Sequence, residues 1–301
     1  MKKTTLLILT VAAVMAFGCK SKKKESASEG SKNLKAASAS IKTELGFEPS
    51  IMVSVNMKSA KKSQLWEMFK GQALSEISKK NECFKAALDS AEGAVIIADK
   101  MVKKGKKSDP ESGYVAIIGV DGKAIMECAE KKEKDKVSKG KLNGQDAWIV
   151  KDDGENNFVF ISGKNIAMVS EKLSKKVTPG KGTLGKIDVA NMIGSKTITL
   201  KVSGVQGEDV ESVNGYIDIT SGVNANLEVG FSSEDQVKGM MKKYEGMKAQ
   251  APQMPIPGIA DILKNINVSA KGKVINAKVS LTDKHVAIIV NLAKSFGGGL
   301  K

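Results

Sequence analysis

The sequence predicts an α+β fold: antiparallel sheets with helices packed on one face, in two similar halves built from β-hairpin–helix repeats. Three observations predict it. Strand-period and helix-period segments follow one another: Ala225, Leu227, Val229 and Phe231 alternate, then Val237, Met240, Met241, Tyr244 and Met247 form a helical stripe. The succession hairpin, cap, helix occurs twice between residues 216 and 296. Near the middle, Thr178-Pro179-Gly180-Lys181-Gly182-Thr183 interrupts both periods, because proline and glycine disfavour helix and strand alike. Each hairpin carries one apolar face and each helix one apolar stripe, and packing helix on sheet removes both from water.

The elements follow in order. Ile51, Val53, Val55 and Met57 alternate with Met52, Ser54 and Asn56, a strand. A helical period runs through Leu65, Met68, Phe69, Leu74, Ile77, Phe84 and Leu88. Residues 94–98 form a short apolar run suited to a buried strand, 103–110 a basic loop, and 114–120 another strand. Asp121-Gly122 turns into a helix at 123–132, and the charged stretch 131–141 is expected to be exposed. Residues 147–150 and 157–161 flank the hairpin signal Asp152-Asp153-Gly154, and 166–169 follows as a strand.

In the second half, 216–220 and 225–231 are strands, and Ser233 with Gln236 three residues on is a capping box. After the loop carrying Pro252, Pro255 and Pro257, residues 266–270 and 275–281 alternate about Lys271-Gly272-Lys273. Thr282 caps a last helix with Val286, Ile289, Val290, Ala293 and Phe296 inward. Looser hairpin–helix versions lie at 51–70 and 158–176. The predicted domains are 44–177, the 178–183 linker and 184–296, with a frayed tail at 297–301.

Composition bounds the function classes. Hydrophobic residues at 41% and charged residues at 27% describe an ordinary globule, and aromatics at 4% leave the core to Val, Ile, Leu, Met and Ala. The net charge is +15, and all 48 basic residues are lysine. Lysine is a mobile, well-hydrated point charge; it lacks the planar fork by which arginine grips phosphate and guanine edges. Specific nucleic-acid binding is therefore not expected. The lysine coat solubilises the chain, and it can be drawn weakly to anionic envelope surfaces.

The first residues carry an address. Lys2 and Lys3 precede an apolar run from Leu6 to Phe17, ending in Gly18 and Cys19. A charged start, a short apolar core and a small residue at the cut make an export signal, and the run falls short of the ~20 residues that span a bilayer. Ala16-Phe17-Gly18-Cys19 resembles a bacterial lipobox, with Gly18 and Cys19 fitting well and Phe17 bulkier than the pattern. The resemblance implies cleavage of the signal peptide at residues 1–18 and a diacylglycerol on Cys19, so that the chain meets the membrane through an N-terminal lipid. Losing Lys2 and Lys3 with the leader leaves +13. Residues 19–43, polar and rich in Lys, Ser and Ala, read as a flexible tether of roughly 25–30 Å. Lys20 stands where the resembling lipoproteins carry an aspartate for inner-membrane retention, which favours the outer membrane.

Candidate chemistry is sparse. With Cys19 acylated, Cys83 and Cys128 remain, as a disulfide or as two buried thiols. Gly180, Gly182 and Gly185 match a dinucleotide spacing, and Lys186 extends it towards a phosphate loop. No strand reading precedes them, and Ile187 replaces the required hydroxyl, so no cofactor is expected. Residues 95–99 resemble a magnesium-binding strand only in their terminal aspartate. Asp152, Asp153, Glu155 and Asn156 lack the spacing of a calcium loop. His285, the single histidine, has no partners at zinc spacing, so no metal site is expected. Met240, Met241, Met247 and Met254 are candidates for an adaptable lip over an apolar cavity, against the plainer reading of a helix face on a sheet. The expectation is a non-enzymatic, lipid-anchored envelope protein serving as a binding or structural module. A periplasmic lipid or acyl-chain carrier is the alternative, and an envelope hydrolase a further one.

Overall fold

The structure, a computed structural model, describes residues 49–296 apart from 69, 71–81, 100, 105–106, 111–112, 153, 176, 178–182, 185–186, 205–209 and 254–257. The expected leader, Cys19, the 19–43 tether, most of the 178–183 linker, the 297–301 tail, Leu74, Ile77 and Met254 lie outside the described residues.

The strands are β1 (Ile51–Asn56), β2 (Gly93–Ala98), β3 (Met101–Lys104), β4 (Lys107–Pro110), β5 (Gly113–Ile118), β6 (Val137–Leu142), β7 (Gln145–Asp152), β8 (Glu155–Ser162), β9 (Asn165–Ser170), β10 (Thr183–Leu184), β11 (Ile187–Asp188), β12 (Ile198–Ser203), β13 (Val210–Asp218), β14 (Val223–Phe231), β15 (Ile266–Lys271) and β16 (Val274–Leu281). The α-helices are α1 (Met57–Ala60), α2 (Lys85–Ser90), α3 (Gly122–Lys132), α4 (Glu171–Ser174), α5 (Glu234–Gln250), α6 (Ile259–Lys264) and α7 (Asp283–Phe296). The fold mixes helix and strand but is dominated by one 12-stranded antiparallel sheet, in the order β15-β16-β14-β13-β12-β1-β2-β5-β9-β8-β7-β6. The expectation of separate sheets is corrected here. Ile51, Val53 and Val55 of β1 pair with Val202, Leu200 and Ile198 of β12, so strands from either side of the 178–183 segment share one ladder. Two short ribbons, β3–β4 and β10–β11, stand apart from it.

Register and alternation assign each strand residue to one of two faces. On the first, Val55, Ile117, Val159 and Ile166 pack with Ile125, Met126 and Ala129 of α3. Further along it, Val223, Val268, Val279 and Leu281 pack with Tyr244 of α5, Ile262 of α6 and Ile288 of α7. Phe231 and Ile275 meet Val237 and Met241 of α5.

The second face differs between its ends. Met52, Val95, Ile97, Tyr114, Ala116 and Phe160 are covered by Leu173, Val177, Val189 and Met192. The second face of β1, β2, β5, β8 and β9 is therefore covered as well, which departs from the expectation of cover on one face. Met52 is fully buried and Ser54 is buried, while Val53 and Val55 are half-buried. Leu173, Val177, Val189 and Met192 cover the side that alternation alone would have left to solvent.

Two local expectations also change. Lys103–Pro110 belongs to the β3–β4 ribbon instead of a loop. Within 131–141, residues from Val137 on form edge strand β6, pinned by buried Val137 and Leu142 while Ser138, Lys139 and Lys141 stay exposed. Lysines on an outer edge discourage pairing with another chain. The β6–β7 turn has Asn143 at φ 48° and Gly144 at φ 84°, and the Asn143 amide donates to the carbonyls of Ser174 (3.1 Å) and Val177 (2.5 Å). That bond ties the hairpin tip to the covering segment.

Helix α5 starts with both halves of the capping box: Gln236 N–H donates to Ser233 Oγ at 3.3 Å, and Ser233 N–H to Gln236 Oε1 at 3.1 Å. Ser233→Ala is expected to cost about 1 kcal/mol. Urea denaturation checks this, and an unchanged midpoint would show the box to be energetically idle.

Candidate functional site

The residues singled out from sequence are placed apart. Cys83 and Cys128 are bonded, with Cα atoms 5.7 Å apart at a sequence separation of 45. The bond links the turn at Glu82–Phe84 to α3, and Lys132 also pairs with Glu82 there. Met241 packs inward against the sheet, Met247 is half-buried, and Met240 is 46% exposed on the outer side of α5. Met240 and Met241 thus lie on different sides of α5.

His285 is buried. Its Nδ1 accepts the Thr282 N–H at 3.3 Å, which leaves Nε2 to donate to Asp261 Oδ2 at 2.8 Å. The hydrogen bond from His285 is the main reason the Asp261 carboxyl lies below its ordinary value. The single histidine therefore joins α6 to the start of α7. Ile187, downstream of the glycine cluster, lies in a two-residue strand, where a phosphate loop needs a helix. Among the described residues no group of three or more His, Cys, Asp or Glu converges as metal ligands.

What the structure does assemble is a flat polar surface. Beyond the cover of Leu173, Val177, Val189 and Met192, the second face of β12, β13, β14, β16 and β15 carries almost no apolar side chains among the described residues. Paired positions make rows across it. One row runs Thr199, Tyr216, Asn226, Lys278, Asn267; the next runs Lys201, Asn214, Glu228, Asn276, Ser269. At neighbouring-strand spacing, five strands span roughly 19 Å. Asn214, Asn226, Asn267 and Asn276 are half-buried, as residues on an open sheet are. Their side-chain amides make no hydrogen bond among the described residues, whereas Asn224 accepts from Ser280 Oγ at 3.1 Å. Lys271 and Glu228 are exposed, and Lys201 and Lys278 are half-buried.

One corner is rigid. Asp218 Oδ1 accepts from Thr197 Oγ1 (3.1 Å), Thr220 Oγ1 (2.8 Å) and Thr220 N–H (3.3 Å), and Lys196 Nζ lies 3.4 Å from Oδ2. The same ammonium sits 4.9 Å from the Tyr216 ring centroid. Burial pushes the Asp218 carboxyl up, but the bonds from Thr220 and Thr197 and the Lys196 charge outweigh it and hold the pKa below its ordinary value. A lowered carboxylate pKa gives stability that is present above the unfolded value of about 3.9 and lost as pH falls through the folded one. Asp218→Asn is expected to cost about 2 kcal/mol at pH 7, and less as the medium is acidified below pH 4. Denaturation at both pH values checks it; a pH-independent difference would contradict the assignment.

This face was not read from sequence. Asparagine signals turns more often than strands, so the pattern at 210–215 was passed over. The usable signal was the strict alternation of Asn224, Asn226 and Glu228 with Ala225 and Leu227. A separate, open depression lined in part by Ala116, Phe160 and Val189 is too shallow to enclose even a water molecule.

No family model matches the sequence, and no curated protein matches it. Among solved structures the chain is similar to crystal forms I and III of TP0453, at 7% identity, with TM-scores of 0.44 and 0.45. Those alignments cover 82% of this chain, and 95% and 96% of the respective solved chains.

Proposed function

We propose that the protein is a lipid-anchored envelope protein that works by binding, without catalysis, and presents the open polar face of its sheet to a partner. The observation that carries export is the Cys83–Cys128 bond, because disulfides persist in oxidising compartments and are rare in reducing ones. The leader ending at Cys19 agrees with it, and the outer membrane is the favoured site. In this reading the two halves repeat one unit. Three meandering strands (β1, β2, β5; β12, β13, β14) are followed by helix, then by strands running from the sheet edge inwards (β6 to β9; β15 to β16), then by a closing helix. The first half carries two extra hairpins, the β3–β4 ribbon and one within β6 to β9.

Membrane fractionation tests the anchor. The wild-type chain is expected in the detergent phase and Cys19→Ser in the aqueous phase. Equal partition of the two would reject anchoring through Cys19.

One observation favours an acyl-chain carrier as the second reading. On the helix-bearing face, Leu200, Val53, Ile96 and Val115 form a half-buried apolar row across four strands, continued by Met168 at 40% exposure. Mass spectrometry of the purified chain distinguishes the two: stoichiometric non-covalent lipid supports the carrier, and its absence supports the binding module.

A further inference from the structure

We infer that the partner of the open polar face is an acidic polysaccharide. This rests on the binding-module reading and names its ligand class. The first ground is an unexplained composition. Asparagine is depleted in strands, yet Asn214, Asn226, Asn267 and Asn276 all lie on this one face of four adjacent strands. The reverse side of the same strands carries Val213, Ala225, Leu227, Val268 and Ile275, as a buried face requires. The same face of β1, β2 and β5 is apolar and covered. Solubility asks only for polar residues, and charged or hydroxyl side chains would supply that in a strand at lower cost. A local rule broken without structural return marks a surface kept for function.

The second ground is chemical fit. A primary amide offers two donors and one acceptor, the complement of neighbouring hydroxyls on a sugar ring. Asn226 and Asn267 in one row, with Asn214 and Asn276 in the next, place four such groups across four strands.

The third ground is charge. Lys201, Lys271 and Lys278 share the face with Glu228, and the Lys196–Asp218 pair is internally neutral. The surplus is positive and suits scattered carboxylates, which a point charge meets without bidentate geometry. Other partners fit less well. Single-stranded nucleic acid needs exposed aromatic platforms, and Tyr216 is only 6% exposed. A bilayer surface needs apolar insertion. A protein interface is built around aromatic, Met and Arg anchors, which this face lacks.

The test is affinity electrophoresis of the full-length chain in detergent, through gels containing polygalacturonate or neutral dextran, with melting temperatures recorded in parallel. Polygalacturonate is expected to retard the wild type at least tenfold more strongly than dextran, with retardation falling as salt rises. Asn226→Ala/Asn276→Ala is expected to lose at least tenfold in affinity at an unchanged melting temperature. Lys242→Glu/Lys243→Glu, on the exposed side of α5, is expected to bind as wild type. Equal loss in both double variants would show a diffuse lysine coat and overturn the inference. Equal binding of dextran would overturn the acidic class, and no retardation would overturn the ligand altogether. The assay does not depend on whether Cys19 is acylated, so its failure is separable from failure of the anchor.

Discussion

Replacing Cys83 and Cys128 together by serine is expected to destabilise the fold by about 4 kcal/mol, the loop-closure entropy of a cross-link spanning 45 residues. For a chain of this size that corresponds to a fall of about 10 °C in melting temperature. The cross-link adjoins a buried cluster. It holds the turn at Glu82–Phe84 against α3, beside Ala87, Ala91 and Met126, whose side chains are small or flexible. Without it, the chain leading into α2 regains freedom in the unfolded state while the folded contacts stay nearly the same. Guanidinium denaturation of the double variant beside the oxidised wild type measures the difference. A loss below about 1 kcal/mol would show that the unfolded chain is already restricted there.

Gly215→Ala is expected to cost about 3 kcal/mol or more. Gly215 lies in β13 at φ 141°, and a Cβ there would stand 2.0 Å from the carbonyl oxygen of Asn226 on β14. Backbone on a paired strand cannot step aside, so β13 and β14 must separate at the centre of the polar face. Gly230→Ala is the control in the same ladder. Its Cβ would meet the Ser212 hydroxyl at 2.4 Å, a group that rotates away, so a loss under about 1 kcal/mol is expected. Equal effects in the two variants would mean that the close approach at Gly215 is not what holds the strands together.

Much of the second half was legible because each segment there obeys one period. Strand β14 alternates without exception from Val223 to Phe231, and α5 opens on a capping box. The first half was harder for a physical reason. Its second face is covered too, so burial no longer follows polarity: Ser54 and Thr199 are buried and paired across β1 and β12, while Val53 and Val55 are only half-buried. Which residues sit beneath 173–192 depends on where that segment crosses the sheet, and no local pattern encodes that path. Strand β12 carries the same signal as β14, Ile198, Leu200 and Val202 alternating with Thr199, Lys201 and Ser203, but over only six residues. The candidate face was hidden likewise, since its rows join residues up to about fifty positions apart, and only register brings Asn226 beside Lys278. The disulfide needed geometry as well: two cysteines in a sequence are compatible with a bond or with two thiols.

Intact mass spectrometry of the protein isolated from its native membranes tests the central claim most directly. The account predicts a chain that begins at Cys19, lacks residues 1–18 and carries the added mass of a diacylglycerol on that residue. A chain that retains Met1 to Gly18, or that begins at an unmodified Cys19, would contradict it.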